Sequence, residues 1–207
     1  MTADGPALRR VYLLRHGHVE TGGRKRYIGR TDLPLSPRGV DQSQHLARDL
    51  ADSGADRIVS SDLGRALQTA RIIAAKLNLA VETEPALREI DLGAWEGRAM
   101  SDVRREDPEA YRRRGADLAG FRPPGGESFE DLVRRVVPAF ERILAASPGV
   151  SIIVAHAGVN RVLLCRFLGM PLNKMFCLGQ DEVAVNIIDE GPGGRVVRAV
   201  NAVIAFR

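Results

Sequence analysis

The chain has 207 residues, 44% hydrophobic and 27% charged, with 30 Lys and Arg against 26 Asp and Glu for a formal net charge of +4. That length suits one domain spanning residues 1–207, and the mild basic excess favours anionic ligands without selecting nucleic acid. No apolar run approaches the ~20 residues of a membrane span, and MTADGPALRR lacks the apolar core of a secretory signal. Cys165 and Cys177 have no C-x-x-C spacing and read as reduced packing residues of a cytoplasmic protein.

Residues 1–9 are expected to be a flexible terminus. The run Val11-Tyr12-Leu13-Leu14 then stops at Arg15-His16-Gly17, as a buried parallel strand does where it leaves its sheet. In such sheets the carboxyl ends of the strands are where ligands bind. Residues 18–37 form a long loop rich in Gly, Arg and Thr, which reads either as an anion-holding loop or as a solvated basic one. Ser36-Pro37 opens a helix to about residue 50.

A second strand is expected over 57–61, and Asp62 is expected to cap a helix over 63–77. A third strand follows over 80–84, then a Gly-punctuated loop over 87–97 that holds Trp95, the only tryptophan. Residues 101–114 read as one charged surface helix. Ser128 and Asp131 have capping-box spacing before a helix to about residue 146, in which Pro138 predicts a kink or break. Val150-Ser151-Ile152-Ile153-Val154-Ala155 is the strongest strand and ends at His156-Ala157-Gly158, ahead of a helix over 159–168. Two tail strands, 183–189 and 195–203, flank a Gly-Pro-Gly-Gly turn and read as antiparallel neighbours. Alternating strands and helices make this an α/β chain with three layers, a mostly parallel central sheet and helices on both faces.

Two strands thus end alike, one at His16 and one at His156, with Arg15 beside the first and Arg65 in the first turn of the helix after the second strand. A strand-end histidine taken alone is more often structural. Four cationic or donor groups on one edge repel one another unless a multiply charged anion lies among them. Phosphate meets that need, with arginines as planar donors and backbone N–H groups near Gly17 and Gly158.

Leu14-Arg15-His16-Gly17 resembles the RHG motif of the histidine phosphatase superfamily, which includes the cofactor-dependent phosphoglycerate mutases. Further segments resemble that family in order and spacing: the loop from Tyr27 through Gly29, Arg30 and Asp32 to Gly39; Ser60-Ser61-Asp62-Leu63-Gly64-Arg65-Ala66; Leu87-Arg88-Glu89 with Gly93-Ala94-Trp95-Glu96-Gly97; Pro124-Gly125-Gly126-Glu127-Ser128; and Val154-Ala155-His156-Ala157-Gly158.

The resemblance implies a phosphoglycerate mutase-like fold and a phosphatase branch similar to α-ribazole phosphatase. It implies His16 as a nucleophile that becomes phosphohistidine and Glu89 as general acid and base, whereas read alone Glu89 is a solvated loop carboxylate. Arg15, Arg65, His156, Ala157 and Gly158 would bind the phosphoryl group. The arginines would lower the pKa of His16, and a backbone acceptor at its other ring nitrogen would fix the tautomer. The family commonly carries an acidic residue, Ser or Thr, and then Asn after RHG, where this chain has His18, Val19 and Gly22. His18, Thr21, Arg24 and Arg30 are candidates to replace those contacts, and Tyr27 and Gly29 join the substrate-binding set. Leu92 stands where mutases usually carry Tyr. A phosphatase acting on a small phosphorylated metabolite is therefore expected, with no cofactor, metal, nucleic acid or membrane partner, and with tail edge strands that could pair in a homodimer. The alternatives are a phosphoglycerate mutase-type transferase, a zinc hydrolase using His16, His18 and His156, and a silent phosphate-binding protein.

Overall fold

In the computed structural model, which describes residues 9–147 and 149–202, the first apolar run is β1 (Arg9–Arg15). Val11 and Leu13 face one side and Tyr12 and Leu14 the other, all four buried. A strand with two apolar faces belongs inside a sheet covered on both sides. It pairs in parallel with β4 (Val150–Ala155) and antiparallel with β5 (Val185–Gly191). Together with β2 (Arg57–Ser60), β3 (Val81–Thr83) and β6 (Gly194–Ala202), the order is β3-β2-β4-β1-β5-β6, the first four strands parallel.

Each face has its own core. Tyr12, Leu14, Ile58 and Ile152 pack against α1 (Pro37–Asp49) and α2 (Gly64–Leu77) through Leu46, Ala70 and Ile73. Val11, Leu13, Val59 and Ile153 pack against α5 (Phe129–Ala145) and α6 (Ala157–Leu168) through Leu132, Phe140, Val162 and Leu163. Burying each such aliphatic side chain contributes roughly 1.5–3 kcal/mol. The three-layer α/β architecture is the one expected.

Several local expectations are corrected. The charged stretch is two helices, α3 (Met100–Glu106) and α4 (Pro108–Ala116), because Pro108 cannot continue the first while Asp107 caps the second. Asp62 caps nothing: its carboxylate grips Arg88, and Asp32 Oδ1 accepts from Gly64 N (2.7 Å) at the start of α2 instead. Pro138 does not break α5, since it lies on the exposed side while Leu132, Val136 and Phe140 anchor the opposite stripe. Arg9 is already paired in β1, while the expectation of flexibility for residues 1–8 and of strand at Val203 lies outside the described residues. No helix among the described residues is long and apolar enough to cross a membrane.

Candidate active site

The parallel register puts Arg15 opposite Ala155, so the residues that follow, His16 and His156, leave the sheet side by side. His16 N–H donates to Ala155 O (3.2 Å) and Ser61 N–H to Val154 O (2.9 Å), which levels the ends of β1, β4 and β2. The two imidazoles meet edge to face, centroids 5.1 Å apart. Gly17 lets the chain pass close to α1, because a Cβ there would lie 2.6 Å from Gly39 O.

His16 is buried, and its Nδ1 lies 2.7 Å from Gly17 O. A carbonyl can only accept, so Nδ1 carries the proton and Nε2 presents its lone pair. Burial first, then the Arg65 and Arg15 guanidiniums, hold its pKa well below the ordinary histidine value. The ring is therefore neutral at neutral pH, with the Nε2 lone pair turned toward Arg65.

Arg65 is only 1% exposed, yet carbonyls rather than a carboxylate take its donors. Its NH1 and NH2 donate to Thr31 O (2.8 Å) and Gly29 O (2.6 Å), which aims Nε at His16 Nε2 (3.1 Å). Glu96 supports those carbonyls by accepting from the backbone of Gly29, Arg30 and Thr31 and from the Thr31 hydroxyl. Arg15 donates NH1 to Gln180 O (2.7 Å), and its buried Nε has no partner among the described residues. The Gln180 side chain is held in turn by Asn160 and Asn186 in a buried amide network. Neither guanidinium has a carboxylate within ion-pair distance among the described residues, although Glu89 acts on both through space, an arrangement suited to an arriving oxyanion.

His156 is fully buried and its pKa is also held well below the ordinary value, by burial first and then by Arg65. Its Nε2 lies 2.8 Å from Ser61 Oγ, and Nδ1 is buried without a partner among the described residues. Ser61 Oγ also accepts from Leu63 N (3.3 Å), and it keeps both its proton and a second lone pair to offer His156 Nε2. When Ser61 gives its proton to Nε2, the ring proton sits on Nδ1, the tautomer able to donate to an anion.

Glu89 is 8% exposed, and one carboxylate oxygen accepts from Ile90 N (2.9 Å) while the other accepts from Gly158 N (2.9 Å). The N–H of Gly158 is therefore committed to Glu89. Arg15, His16, Arg65, Glu89, Ala157 and Gly158 all line one cleft of about 380 Å³. Its outer walls are apolar at Ile28, Leu92, Met100 and Phe129 and cationic at Lys25, Arg26, Arg114 and Arg161. None of those four cations has a carboxylate within ion-pair distance among the described residues.

The loop residues divide. Thr21 and Tyr27 line the cleft. Gly29 and Arg30 serve the scaffold instead, Gly29 through its carbonyl to Arg65 and Arg30 through ion pairs to Asp91 and Glu127. His18 turns aside to Ser36 Oγ (2.7 Å) with Glu182 Oε1 3.9 Å away, and Arg24 pairs with Asp102. Among the described residues no three His, Cys, Asp or Glu side chains are grouped to hold a metal ion. Reasoning from sequence missed Ser61, Gln180, Arg135 and Arg161, whose parts here depend on long-range contacts.

Comparison with known proteins finds the model of the histidine phosphatase superfamily (branch 1) matching residues 11–203. A probable phosphoglycerate mutase GpmB of Yersinia pseudotuberculosis is 35% identical over 162 residues, 78% of this chain and 75% of that protein. The crystal structure of the α-ribazole phosphatase from Shigella flexneri superposes with a TM-score of 0.87 at 31% identity, covering 96% of this chain and 98% of that one. A mycobacterial glucosyl-3-phosphoglycerate phosphatase superposes with a TM-score of 0.85 at 28% identity, covering 95% of this chain and 100% of the other.

Proposed function

The chain belongs to the histidine phosphatase superfamily, and from that premise we propose that it is a phosphomonoesterase working through a phosphohistidine on His16. The observation that carries this reading is the state of His16. Its Nδ1 is tied to Gly17 O, its Nε2 lone pair faces Arg65, and burial with two arginines keeps it neutral.

The phosphoryl oxygens of a monoester draw the Nε proton of Arg65 away from His16 Nε2, which frees the lone pair for attack on phosphorus. The phosphorus–oxygen bond to the leaving group breaks as the Glu89 carboxyl delivers its proton to that oxygen. Glu89, now a carboxylate, takes a proton from water. The water oxygen then attacks phosphorus, the P–Nε2 bond breaks, and inorganic phosphate leaves. Arg15, Arg65 and the Nδ1–H of His156 stabilise the charge on the phosphoryl oxygens in both steps.

Outside this centre the cleft favours a leaving group with an apolar surface and further negative charge, facing Lys25, Arg114 and Arg161. The substrates named for the similar phosphatases, α-ribazole 5′-phosphate and glucosyl-3-phosphoglycerate, belong in the first screen with simple sugar phosphates. The unpaired cations and the mutase relative also favour a second reading, transfer between two sites of a bisphosphorylated metabolite; it yields no net inorganic phosphate. The test is release of phosphate from p-nitrophenyl phosphate and the screen compounds, with acid-labile phosphate trapped on the protein. His16→Ala is expected to abolish both. Turnover that survives in His16→Ala, or that chelation removes and zinc restores, would overturn the reading.

A further inference from the structure

We propose that Arg135, on α5 and outside the cleft lining, is a positioning residue for Glu89. Glu89 sits on a segment with no strand to hold it, between a single 3-10 turn at Pro85–Leu87 and another at Gly93–Trp95. A catalytic carboxylate has to be held to a fraction of an ångström, so something else must fix this backbone.

Arg135 does so with all five of its N–H donors. NH1 donates to Ala86 O (2.8 Å) and Arg88 O (2.7 Å), and NH2 donates to Glu89 O (2.9 Å). Nε and NH2 each reach one oxygen of Glu127 (both 2.9 Å), which orients the guanidinium plane. Glu127 also receives Asp91 N (3.0 Å) and Arg30 NH2 (2.9 Å), so it ties the far side of the same segment to the loop that aims Arg65. One guanidinium thus gathers three carbonyls around Glu89 and sends its side chain toward Gly158. Lysine has the charge but not the planar fork, so it can keep the pair with Glu127 while losing the carbonyl clamp.

The proposal rests on the reading of Glu89 as the proton donor to the leaving group. Loss of that donor is felt according to the leaving group's own basicity. In Arg135→Lys, kcat/KM for p-nitrophenyl phosphate, whose leaving group departs without a proton, is expected within about threefold of the wild type. For ethyl phosphate, whose alkoxide needs one, it is expected to fall about 30-fold or more, part of the 10²–10⁴ that general acids supply. A steeper dependence of kcat/KM on leaving-group pKa supports the assignment, and combining Arg135→Lys with Glu89→Gln should steepen it no further than Glu89→Gln alone. Equal losses on both substrates, or none on ethyl phosphate, would overturn the role of Arg135 while leaving the phosphatase reading intact. Wild-type protein that turns over neither substrate would overturn that reading instead. Should Arg135→Lys fail to fold by circular dichroism, Glu127→Gln, which loosens the guanidinium by removing the charge and turning one of its two acceptor oxygens into a donor, is subject to the same two outcomes.

Discussion

Gly158→Ala separates the geometry of the site from the stability of the fold. A Cβ at this position would lie 2.3 Å from Glu89 Oε1, whereas ordinary contact begins at 3.4 Å, so the carboxylate must retreat by at least 1.1 Å, the difference between the two. The obstructing atom ends a flexible side chain, so Glu89 swings aside while α6 keeps its place. It loses the bond from Gly158 N, worth about 1.5–3 kcal/mol for a charged acceptor. Alanine in a helix returns about 0.5–1 kcal/mol relative to glycine. The net change is about 1–2 kcal/mol, a shift of a few degrees in melting temperature. Activity should suffer far more, because a misplacement of about 1 Å at a reacting centre costs on the order of 100-fold. Thermal melts and kcat/KM on an alkyl phosphate measure the two sides. Wild-type kcat/KM in a variant that melts normally would refute the placement of Glu89 at the reacting centre.

Arg65→Met should raise the pKa of His16, which Arg65 helps to hold down after burial, and so move the acid limb of kcat/KM to higher pH on top of a large loss of rate; a limb that stays put would contradict the electrostatic account. Both buried histidines are neutral in the folded state with lowered pKa values, while in the unfolded chain they titrate near 6.5. As pH falls below 6.5 the unfolded chain therefore binds more protons, and stability should drop by about 1.4 kcal/mol per pH unit for each histidine until its folded pKa is reached. Urea titrations from pH 7 to 5 read this slope, and His16→Asn should remove one of the two contributions. Ser61→Ala frees His156 to move its proton to Nε2, and a loss of roughly 100-fold in kcat/KM is expected for one misdirected donor; nitrogen NMR shifts that still show the Nδ1–H form would rule out this role for Ser61.

The centre of the sheet was legible because β1, β2 and β4 are short runs with buried apolar residues on both faces, and the shared endings at His16 and His156 pointed to one edge. The register that makes those endings neighbours follows from the strand pairing, which no single segment displays. What stayed hidden depends on the backbone or on distant partners. The donors of Arg65 go to Gly29 O and Thr31 O, and Arg15 goes to Gln180 O, groups that every residue type shares. Arg135 lies 46 to 49 positions from the carbonyls it gathers and reads locally as one more charge on an amphipathic helix. Asp62 misled for the opposite reason: it has the right residue type and place for a cap, but Arg88 outcompetes the helix for it. Arg30 likewise looked like a ligand for an anion, and its charge is spent on Asp91 and Glu127.

The pairing of β1 with β4 also sets when the two histidines can meet. His16 and His156 are 140 positions apart in the chain (156 less 16), and they become neighbours only once the loop between those strands has closed. Closing so long a loop is slow in folding because its entropic cost precedes any contact that offsets it. Until then His16 is an ordinary solvated imidazole, largely without the arginines that later surround it. On the proposed reading of His16, the groups that make it a nucleophile are therefore assembled only with the completed sheet.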